Sequence, residues 1–199
     1  CGNTVRNVTA SPAAGIDPDE PFDVSPYADA VFRYFLRNPI CQEMGRKFKI
    51  AFSSSDKDSA LTCMHDLGFI PKVRVINGEK VRGFKVLIGG GLGAQPYLAQ
   101  VAHEFLHEDL IIPYTECVLR VFDRYGERSS RHKARLKFLI ANIGLEELTR
   151  LIKEENKALK NQIVRIDRDA IAQPSAPVGI ISSDLFPVGD QNKYERWKK

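Results

Sequence analysis

The sequence predicts an α+β fold, in which a mixed or antiparallel sheet of three to five strands is flanked by helices and followed by an extended C-terminal arm. Hydrophobic residues alternate with a period of two in several segments between residues 46 and 88, and recur at helical spacing beyond residue 113. Two strand candidates are joined by Asn77-Gly78, a dipeptide typical of tight β-hairpins. The chain has 199 residues, 43% of them hydrophobic and 27% charged, which excludes collagen-like, disordered and disulfide-scaffold classes.

The N-terminal region contains one predicted helix. The first 25 residues are rich in Gly, Pro, Asn and Asp, a composition that predicts extended or looped chain. Ser25 is a suitable N-cap residue and Pro26 suits the first helical position. Apolar residues then recur at helical spacing from Tyr27 until Asn38-Pro39, which ends the helix.

Three strands are predicted next. In the first, Phe48, Ile50 and Phe52 share one face, while Lys47 and Lys49 share the other. The second and third strands, which form the hairpin, are Phe69–Ile76 and Lys80–Ile88. A glycine-rich run, residues 89–93, follows and allows close approach of the backbone to a partner.

The C-terminal half is predicted to be helical and then extended. The helices are one around residues 118–122, one from Ser130 to Ile143, and one from Leu145 to about Leu159. Residues 163–166 are a candidate short strand, and a Pro-, Gly- and Ser-containing segment follows. We therefore divide the chain into a unit of residues 1–155 and an extended connector, residues 156–199.

Lys47 and Lys49 are the first candidate functional residues. On pattern alone, a face that carries two ammonium groups is a solvated face. The alternative is an anion site, because Arg46 precedes the pair and Arg6 can add a planar bidentate donor. The net charge of +4 is compatible with anionic small ligands and does not identify one.

Four blocks of the sequence, in order, resemble the sirohaem- and iron–sulfur-containing nitrite and sulfite reductases. They are CGNTVRNVTASPAAGID, GRKFKIAFS, GFKVLIGGGLG and SSRHKARLKFLIANIGLEELT, which lie within residues 1–155. The resemblance implies a half-domain with the fold of the nitrite and sulfite reductase 4Fe-4S domain, the first of two halves that enclose sirohaem coupled to a [4Fe-4S] cluster. The final residues, KYERWKK, resemble the entry into the second half.

The resemblance also implies roles for particular residues. Arg6, Lys47 and Lys49 match the residues that handle the substrate and its protons in sulfite or nitrite reduction. The sirohaem contacts that it implies are Arg6, Asn7, Arg46, Lys47, Lys49, Gly89, Gly90 and Gly91. Clustered cations make physical sense there, because sirohaem is rich in carboxylates and the substrate is an oxyanion. Lys49 favours sulfite over nitrite, since plant-type nitrite reductases carry asparagine at the matching position.

The sequence departs from the family pattern in its cysteines. Cys1, Cys41, Cys63 and Cys117 do not have the spacing of the four cluster ligands, which belong to the second half of the family's enzymes. The first residue is Cys1, within the first matching block. We therefore expect a fragment of a cytoplasmic reductase that is inactive alone, is purified without sirohaem or a cluster and has no metal site of its own. Its parent would take electrons from ferredoxin or a flavoprotein and would pair these residues with the missing second half.

Two motifs and one general alternative compete with this interpretation. His103-Glu104-Phe105-Leu106-His107 matches the HExxH signature of zinc hydrolases, which requires a helix, although no third ligand is evident. The basic run from Arg128 to Lys137 suggests nucleic acid, but it lacks interleaved aromatic residues, so we predict a solvated helical face that is also able to dock the missing half. A non-enzymatic anion- or tetrapyrrole-binding module remains the main alternative. No nucleic-acid partner and no membrane association are predicted.

Overall fold

A computed structural model describes residues 2–170 and residue 196, and shows a five-stranded sheet with four α-helices. The strands are β1 (Val5–Ala10), β2 (Phe48–Phe52), β3 (Leu67–Ile76), β4 (Glu79–Ile88) and β5 (Gln100–His107). The helices are α1 (Ser25–Phe35), α2 (Ile111–Tyr125), α3 (Leu136–Ile143) and α4 (Leu145–Lys157). No helix in this part of the chain has the length and apolar character needed to span a bilayer.

The sheet is mixed, and its strands lie side by side in sequence order. β1, β2 and β3 are parallel neighbours, and the connection from β1 to β2 contains α1. β3, β4 and β5 are antiparallel. Consequently, the starts of β1, β2 and β3 and the end of β4 all lie along one edge of the sheet. The predicted α+β class and mixed sheet are confirmed.

The hairpin between β3 and β4 forms where the sequence predicts it. Asn77 and Gly78 have φ angles of 52° and 85°, the left-handed conformations that a tight two-residue hairpin turn requires. Pairing then runs without interruption from Ile76 opposite Glu79 to Leu67 opposite Ile88. Because this register is continuous, the turn fixes where β4 ends and thus the position of the glycine run.

Aromatic side chains join the sheet to the helices. Phe48, Phe52, Phe69 and Phe84 are completely buried. The rings of Phe52 and Phe69 stack with centroids 4.7 Å apart, on neighbouring parallel strands. Helix contacts are similar: Phe48 lies 5.9 Å from Phe122 of α2, and Phe84 lies 5.1 Å from Tyr27 of α1. Burial of each such ring contributes about 2–3 kcal/mol, so these contacts hold the helices on the sheet.

The N-terminal segment differs from the prediction in two respects. Residues 5–10 form the edge strand β1, where the sequence predicted extended or looped chain and no strand. The parallel strand β2 supplies hydrogen-bonding partners that composition does not reveal. Helix α1 includes Ser25 as its first residue, and Val24 occupies the cap position. The carboxylate of Asp23 accepts the Ser25 N–H at 2.8 Å, so it replaces the predicted serine cap.

The basic run is also not the helix that was predicted. Residues 130–135 form turns, and α3 begins only at Leu136. Arg135 has extended backbone angles, φ −85° and ψ 152°, and its guanidinium forms an ion pair with Asp66. Arg135 and Lys137 are therefore held against the protein, and the prediction of a uniformly solvated face is wrong for these two residues.

The HExxH stretch lies on strand β5, so the helix considered for it is absent. Both histidines have other partners: the His103 ring packs edge-on against Tyr114, with centroids 4.9 Å apart, and His107 Nδ1 accepts the Asp109 N–H at 3.2 Å. An extended strand places residues four apart at roughly 13 Å, compared with about 6 Å for one helical turn. The two imidazoles therefore lack the spacing of that signature.

The candidate strand at residues 163–166 is wrong as well, because no strand forms there. Val164 donates its N–H to the Asp109 carbonyl at 3.0 Å, and the side chains of Val164 and Ile166 pack against the core. Arg168 reaches the buried carboxylate of Glu108. The remainder of the predicted connector, KYERWKK included, and Cys1 lie outside the described residues, apart from residue 196.

A buried polar network connects α1, α2 and α4. Tyr34 donates its hydroxyl hydrogen to Glu116 at 2.6 Å, and Arg120 binds the same carboxylate, also at 2.6 Å. Glu155 of α4 accepts from Arg120 at 3.3 Å and from Arg124 at 2.9 Å, with its side chain only 7% exposed. Two carboxylates and two guanidinium groups therefore neutralise one another where the helices meet.

We expect Glu155→Gln to lower the free energy of unfolding by about 1–3 kcal/mol. The buried carboxylate that accepts hydrogen bonds from Arg120 and Arg124 becomes a neutral amide, which leaves the two guanidinium groups less well compensated. Urea unfolding followed by circular dichroism measures the change. The control is Glu154→Gln on the same helix, whose partner Arg150 is 54% exposed, and which should leave the midpoint nearly unchanged. Equal effects of the two variants would contradict this account.

Candidate anion-binding site

The carboxylate of Asp66 organises the sheet edge where β1, β2 and β3 begin. Its side chain is 1% exposed, and Oδ1 accepts from Arg135 Nε at 3.0 Å and Nη2 at 2.8 Å. Oδ2 accepts the backbone N–H of Lys49 at 3.0 Å. The Asp66 carbonyl accepts the N–H of Gly89 at 2.9 Å. One residue therefore connects β2, the segment before α3 and the start of the glycine run.

Burial raises the pKa of the Asp66 carboxyl above its ordinary value, and the Arg135 guanidinium opposes this shift. The hydrogen bond from the Lys49 amide acts in the same direction as Arg135. A buried carboxylate needs such partners, since its desolvation is costly. The Arg135 side chain is consequently held in one orientation by Asp66, instead of extending freely into solvent.

Parallel pairing of β1 with β2 places Arg6 beside the two lysines. Val5 pairs with Phe48 and Asn7 pairs with Lys49, so Arg6 occupies an irregularity in the register. An extra residue at such a point re-aims its side chain. The Arg6 side chain is exposed, and its Nη2 donates to the Gly2 carbonyl at 3.5 Å. The predicted juxtaposition of Arg6 with Lys47 and Lys49 is thus present in the fold.

Six cations form what we call the basic cluster. Its members come from three distant parts of the chain: Arg6, Arg46, Lys47, Lys49, Arg131 and Arg135. Burial lowers the pKa of Lys47, and repulsion from Arg6 and Arg135 lowers it further. The pKa of Arg46 is lowered in the same way, by burial and by Arg131. Among the described residues, Arg135 is the one member that forms a salt bridge with a carboxylate.

Two adjoining clefts open onto the basic cluster. One has a volume of about 470 Å³ and the other about 400 Å³, and both are lined by Lys47, Leu92, Gly93 and Arg135. Arg46, Arg131, His132, Lys133 and Lys137 line the larger cleft, whereas Lys49, Leu61 and His65 line the smaller one. Four residues that line these clefts were not predicted as site residues from the sequence: Arg131, Arg135, Lys137 and His65. The basic run was the available signal for three of them, but only the fold turns it toward Lys47.

The glycine run packs against this site from inside the protein. Gly89 has a φ of +87° and is buried. A Cβ on Gly90 would lie 2.4 Å from the Cys63 carbonyl oxygen, and one on Gly91 would lie 3.0 Å from Arg135 Nη2. These glycines therefore allow the chain to approach the segment before β3 and the basic cluster. Their predicted contact with sirohaem stays a prediction.

Asn7 has a buried acceptor without a partner. Its Oδ1 is inaccessible to solvent and receives no hydrogen bond within the described residues, although Asn7 lies opposite Lys49 in the β1–β2 register. Such atoms are rare in folded proteins, because each costs the desolvation of a polar group.

The described cysteines do not form a ligand set for a metal cluster. Cys41 and Cys117 are buried, and burial raises the pKa of each thiol to about 12, far from the thiolate form that binds iron. Cys63 is half-buried, and burial raises its pKa as well. Across residues 2–170 and residue 196, no group of three or more histidine, cysteine or acidic side chains is arranged to hold a metal ion.

The chain belongs to the family described as "Nitrite and sulphite reductase 4Fe-4S domain", whose model matches residues 1–160. Among individual proteins, it is 36% identical over 155 residues to "Sulfite reductase [ferredoxin] 1" of Mycolicibacterium paratuberculosis, covering 78% of this chain and 27% of that protein. It is 28% identical over 156 residues to the "Assimilatory ferredoxin-dependent nitrite reductase" of Haloferax mediterranei, covering 77% of this chain and 27% of that protein.

Solved structures agree with the sequence relatives. The structure of the NirA protein of Mycobacterium tuberculosis matches with a TM-score of 0.71 and 29% identity, covering 84% of this chain and 29% of that one. A dissimilatory sulfite reductase I matches with a TM-score of 0.60 and 11% identity over 99% of this chain and 62% of that one, a likeness of fold alone. The chain thus spans about a quarter of the length of the two reductases named above, the sulfite reductase and the nitrite reductase.

We expect Asp66→Asn to destabilise the protein by about 3 kcal/mol, since asparagine offers one acceptor oxygen where Arg135 and the Lys49 amide use two. The measurement is the urea midpoint with its slope. Asp56→Asn is the control, because Asp56 is 73% exposed and pairs with Lys72 on the surface. A midpoint for Asp66→Asn as high as that of the control would show that this carboxylate does not organise the site.

Lys47→Met is expected to raise stability. The pKa of Lys47 in the folded protein is lowered by burial and by neighbouring cations, so its charged form opposes folding at every pH below that pKa. The gain should appear in thermal unfolding at neutral pH and shrink in high salt, which screens the repulsion. Lys57→Met should act in the opposite direction, because the carboxylate of Asp19 raises the pKa of Lys57. A loss of stability in Lys47→Met would refute the repulsion argument.

Proposed function

We propose that residues 1–155 form one half of the sirohaem pocket of a sulfite or nitrite reductase. The observation that carries this proposal is the basic cluster, whose cations lie around two clefts. Arg46, Lys47, Lys49, Arg131 and Arg135 line the clefts. Arg6 lies close enough to Lys47 to lower its pKa, and one internal carboxylate offsets these charges. Such an arrangement is costly for an isolated protein and becomes favourable when a polyanion occupies the clefts. Family membership supports sirohaem as that polyanion.

Within this proposal, some of these residues serve the cofactor alone and others serve the cofactor and the substrate. Arg46 and Asn7 would contact sirohaem, together with backbone groups of residues 89–91. Arg6, Lys47 and Lys49 would contact sirohaem as well, and would also face the oxyanion. The bound cofactors supply the six-electron reduction of sulfite to sulfide or of nitrite to ammonia. The ammonium groups of Lys47 and Lys49 donate protons to the oxygens that leave as water and stabilise the negative charge during the reaction.

The local residues fit sirohaem but not the cluster. The unpaired cations are the feature that a carboxylate-rich macrocycle would satisfy. In contrast, Cys41 and Cys117 are buried thiols with raised pKa values. We therefore place the cluster ligands in the rest of the enzyme, consistent with the quarter of the relatives' length that the chain spans. Residues 1–199 alone would then be inactive.

The donor and the substrate are also proposals. Ferredoxin appears in the names of the sulfite and nitrite reductases that the chain resembles, so we place ferredoxin ahead of a flavoprotein as the electron donor. The similar proteins include both sulfite reductases and nitrite reductases. Lys49 leads us to put sulfite first, because a second ammonium group increases the attraction for a more highly charged oxyanion.

Titration of the chain with sirohaem, followed by absorbance, tests the site. Lys47→Ala/Lys49→Ala should weaken binding at least about tenfold, because two charge-assisted contacts are removed. Lys80→Ala/Lys160→Ala is the matched control, since both residues are exposed, lie outside the two clefts and remove the same charge. Equal affinities for the two double variants, or no binding by the unaltered chain, would refute the proposal.

The competing function is a non-enzymatic anion- or tetrapyrrole-binding module, for which the same basic cluster suffices. The two functions differ in what the full-length protein contains, because only the reductase needs four cysteine ligands for a [4Fe-4S] cluster. Iron and acid-labile sulfide in the purified full-length protein, at the stoichiometry of one cluster, support the reductase. Sirohaem without iron–sulfur would support the binding module.

A further inference from the structure

Lys137 carries a buried charge in the wall of the larger cleft. The residue is 3% exposed, although its sequence neighbours Arg131 and Lys133 are exposed. Its Nζ donates to the carbonyl oxygens of Gly91 at 3.3 Å and Leu92 at 3.2 Å, and also to that of Gln95. A lysine ammonium has three N–H donors. All three are therefore used by main-chain carbonyls, and none is left for an anion.

The surroundings of this ammonium are aromatic rather than acidic. Nζ lies 5.4 Å from the ring centre of Tyr97 and 5.0 Å from that of Phe138. Burial lowers the pKa of Lys137, nearby Arg135 acts in the same direction, and the Asp66 carboxylate, which forms no salt bridge with Lys137, opposes them. A charge buried without a carboxylate partner is costly unless its hydrogen bonds and ring contacts are formed. The buried charge of Lys137 is therefore stabilised mainly by its contacts with the turn that contains Gly91, Leu92 and Gln95.

That turn forms part of both clefts. We call residues 91–97 the cleft turn, because Leu92 and Gly93 line the two clefts and Gln95 lines the larger one. Gly91 and Tyr97 close it with two reciprocal backbone hydrogen bonds of 3.0 Å. Leu92 is 62% exposed, so little apolar burial holds the tip of the turn in place. The carbonyl contacts of Lys137 supply the missing restraint.

We propose that Lys137 is a positioning residue, which fixes the cleft turn and thereby sets the shape of the anion-binding clefts without contacting the anion. The importance of this role for sirohaem rests on the proposed function, whereas the restraint on the turn does not. The proposal distinguishes Lys137 from Lys47 and Lys49, for which the structure gives no carbonyl partners of the ammonium group among the described residues.

Hydrogen exchange in the ligand-free chain tests the restraint. In Lys137→Met, which keeps the length of the side chain and removes the charge, exchange at Gly91 and Tyr97 should accelerate at least about tenfold. Amides of the β3–β4 pair should keep their protection. Lys137→Arg, which retains donors, should recover part of the protection. Lys133→Met is the matched control, because it removes one charge from the same cleft and Lys133 has no hydrogen bond to the turn among the described residues. Exchange at Gly91 and Tyr97 in this variant should equal that of the unaltered chain.

Sirohaem titration then separates positioning from direct binding. Lys133→Met and Lys137→Met each remove one charge from the larger cleft, so both should reduce the salt dependence of sirohaem affinity, because salt screens charge interactions. Only Lys137→Met should still weaken binding severalfold at high salt, because the cleft turn is no longer held. Unchanged exchange in the cleft turn of Lys137→Met would overturn the proposal, as would equal affinities of Lys137→Met and Lys133→Met at high salt. If exchange is faster in Lys137→Met but the unaltered chain binds no sirohaem, the role of Lys137 in holding the turn stands and only the proposed function is refuted. If Lys137→Met does not fold, hydrogen exchange is measured in Lys137→Arg instead. Exchange at Gly91 and Tyr97 as slow as in the unaltered chain would then show that the turn does not depend on the three carbonyl contacts of the lysine ammonium, and would overturn the proposal.

Discussion

The paired carboxylate of Asp66 is the interaction on which the candidate site depends. It is almost fully buried, and it binds the Arg135 guanidinium and the Lys49 amide through different oxygens. Its backbone holds Gly89 at the end of β4. Because an unpaired carboxylate in that position would be very costly, these partners are fixed together. The geometry that presents the cations is therefore maintained by an anion inside the protein, beneath the surface that we propose to bind anions.

The site is a place where the protein tolerates unfavourable interactions. Lys47 and Arg46 both have their pKa values lowered by burial and by neighbouring cations, which means that their charges repel in the folded state. The aromatic contacts of Phe48 and Phe84, together with the Glu155 network, provide favourable burial and pairing elsewhere. This distribution is typical of binding sites, whose charges are stabilised only when the ligand is present. It also explains why the cations are gathered at one sheet edge rather than spread over the surface.

The mixed topology of the sheet makes this gathering possible. Parallel strands place the residues that precede β2 and β3 beside those of β1, and the antiparallel β4 returns its C-terminal glycines to the same edge. Arg135, just before α3, and Lys137, in its first turn, then close the site. Each of these segments supplies a different element of the clefts: cations, a close backbone approach, or a restrained turn. The likeness to the NirA structure extends over 84% of the chain, so the sheet that brings these segments together belongs to the shared fold.

Local pattern in the sequence determined the hairpin, strand β2 and helices α1, α2 and α4, because turn chemistry and hydrophobic period act over a few residues. It also identified Arg6, Lys47 and Lys49 as a candidate group, with the family resemblance supplying the connection between them. The tertiary structure alone decided that residues 5–10 form a strand, that HExxH lies on β5, and that Arg135 and Lys137 are held inward. These outcomes depend on partners far along the chain: β2 for the edge strand, Asp66 for Arg135 and the cleft turn for Lys137. Local periodicity contains no information about such partners, since the energy that selects them arises only when distant segments pack together.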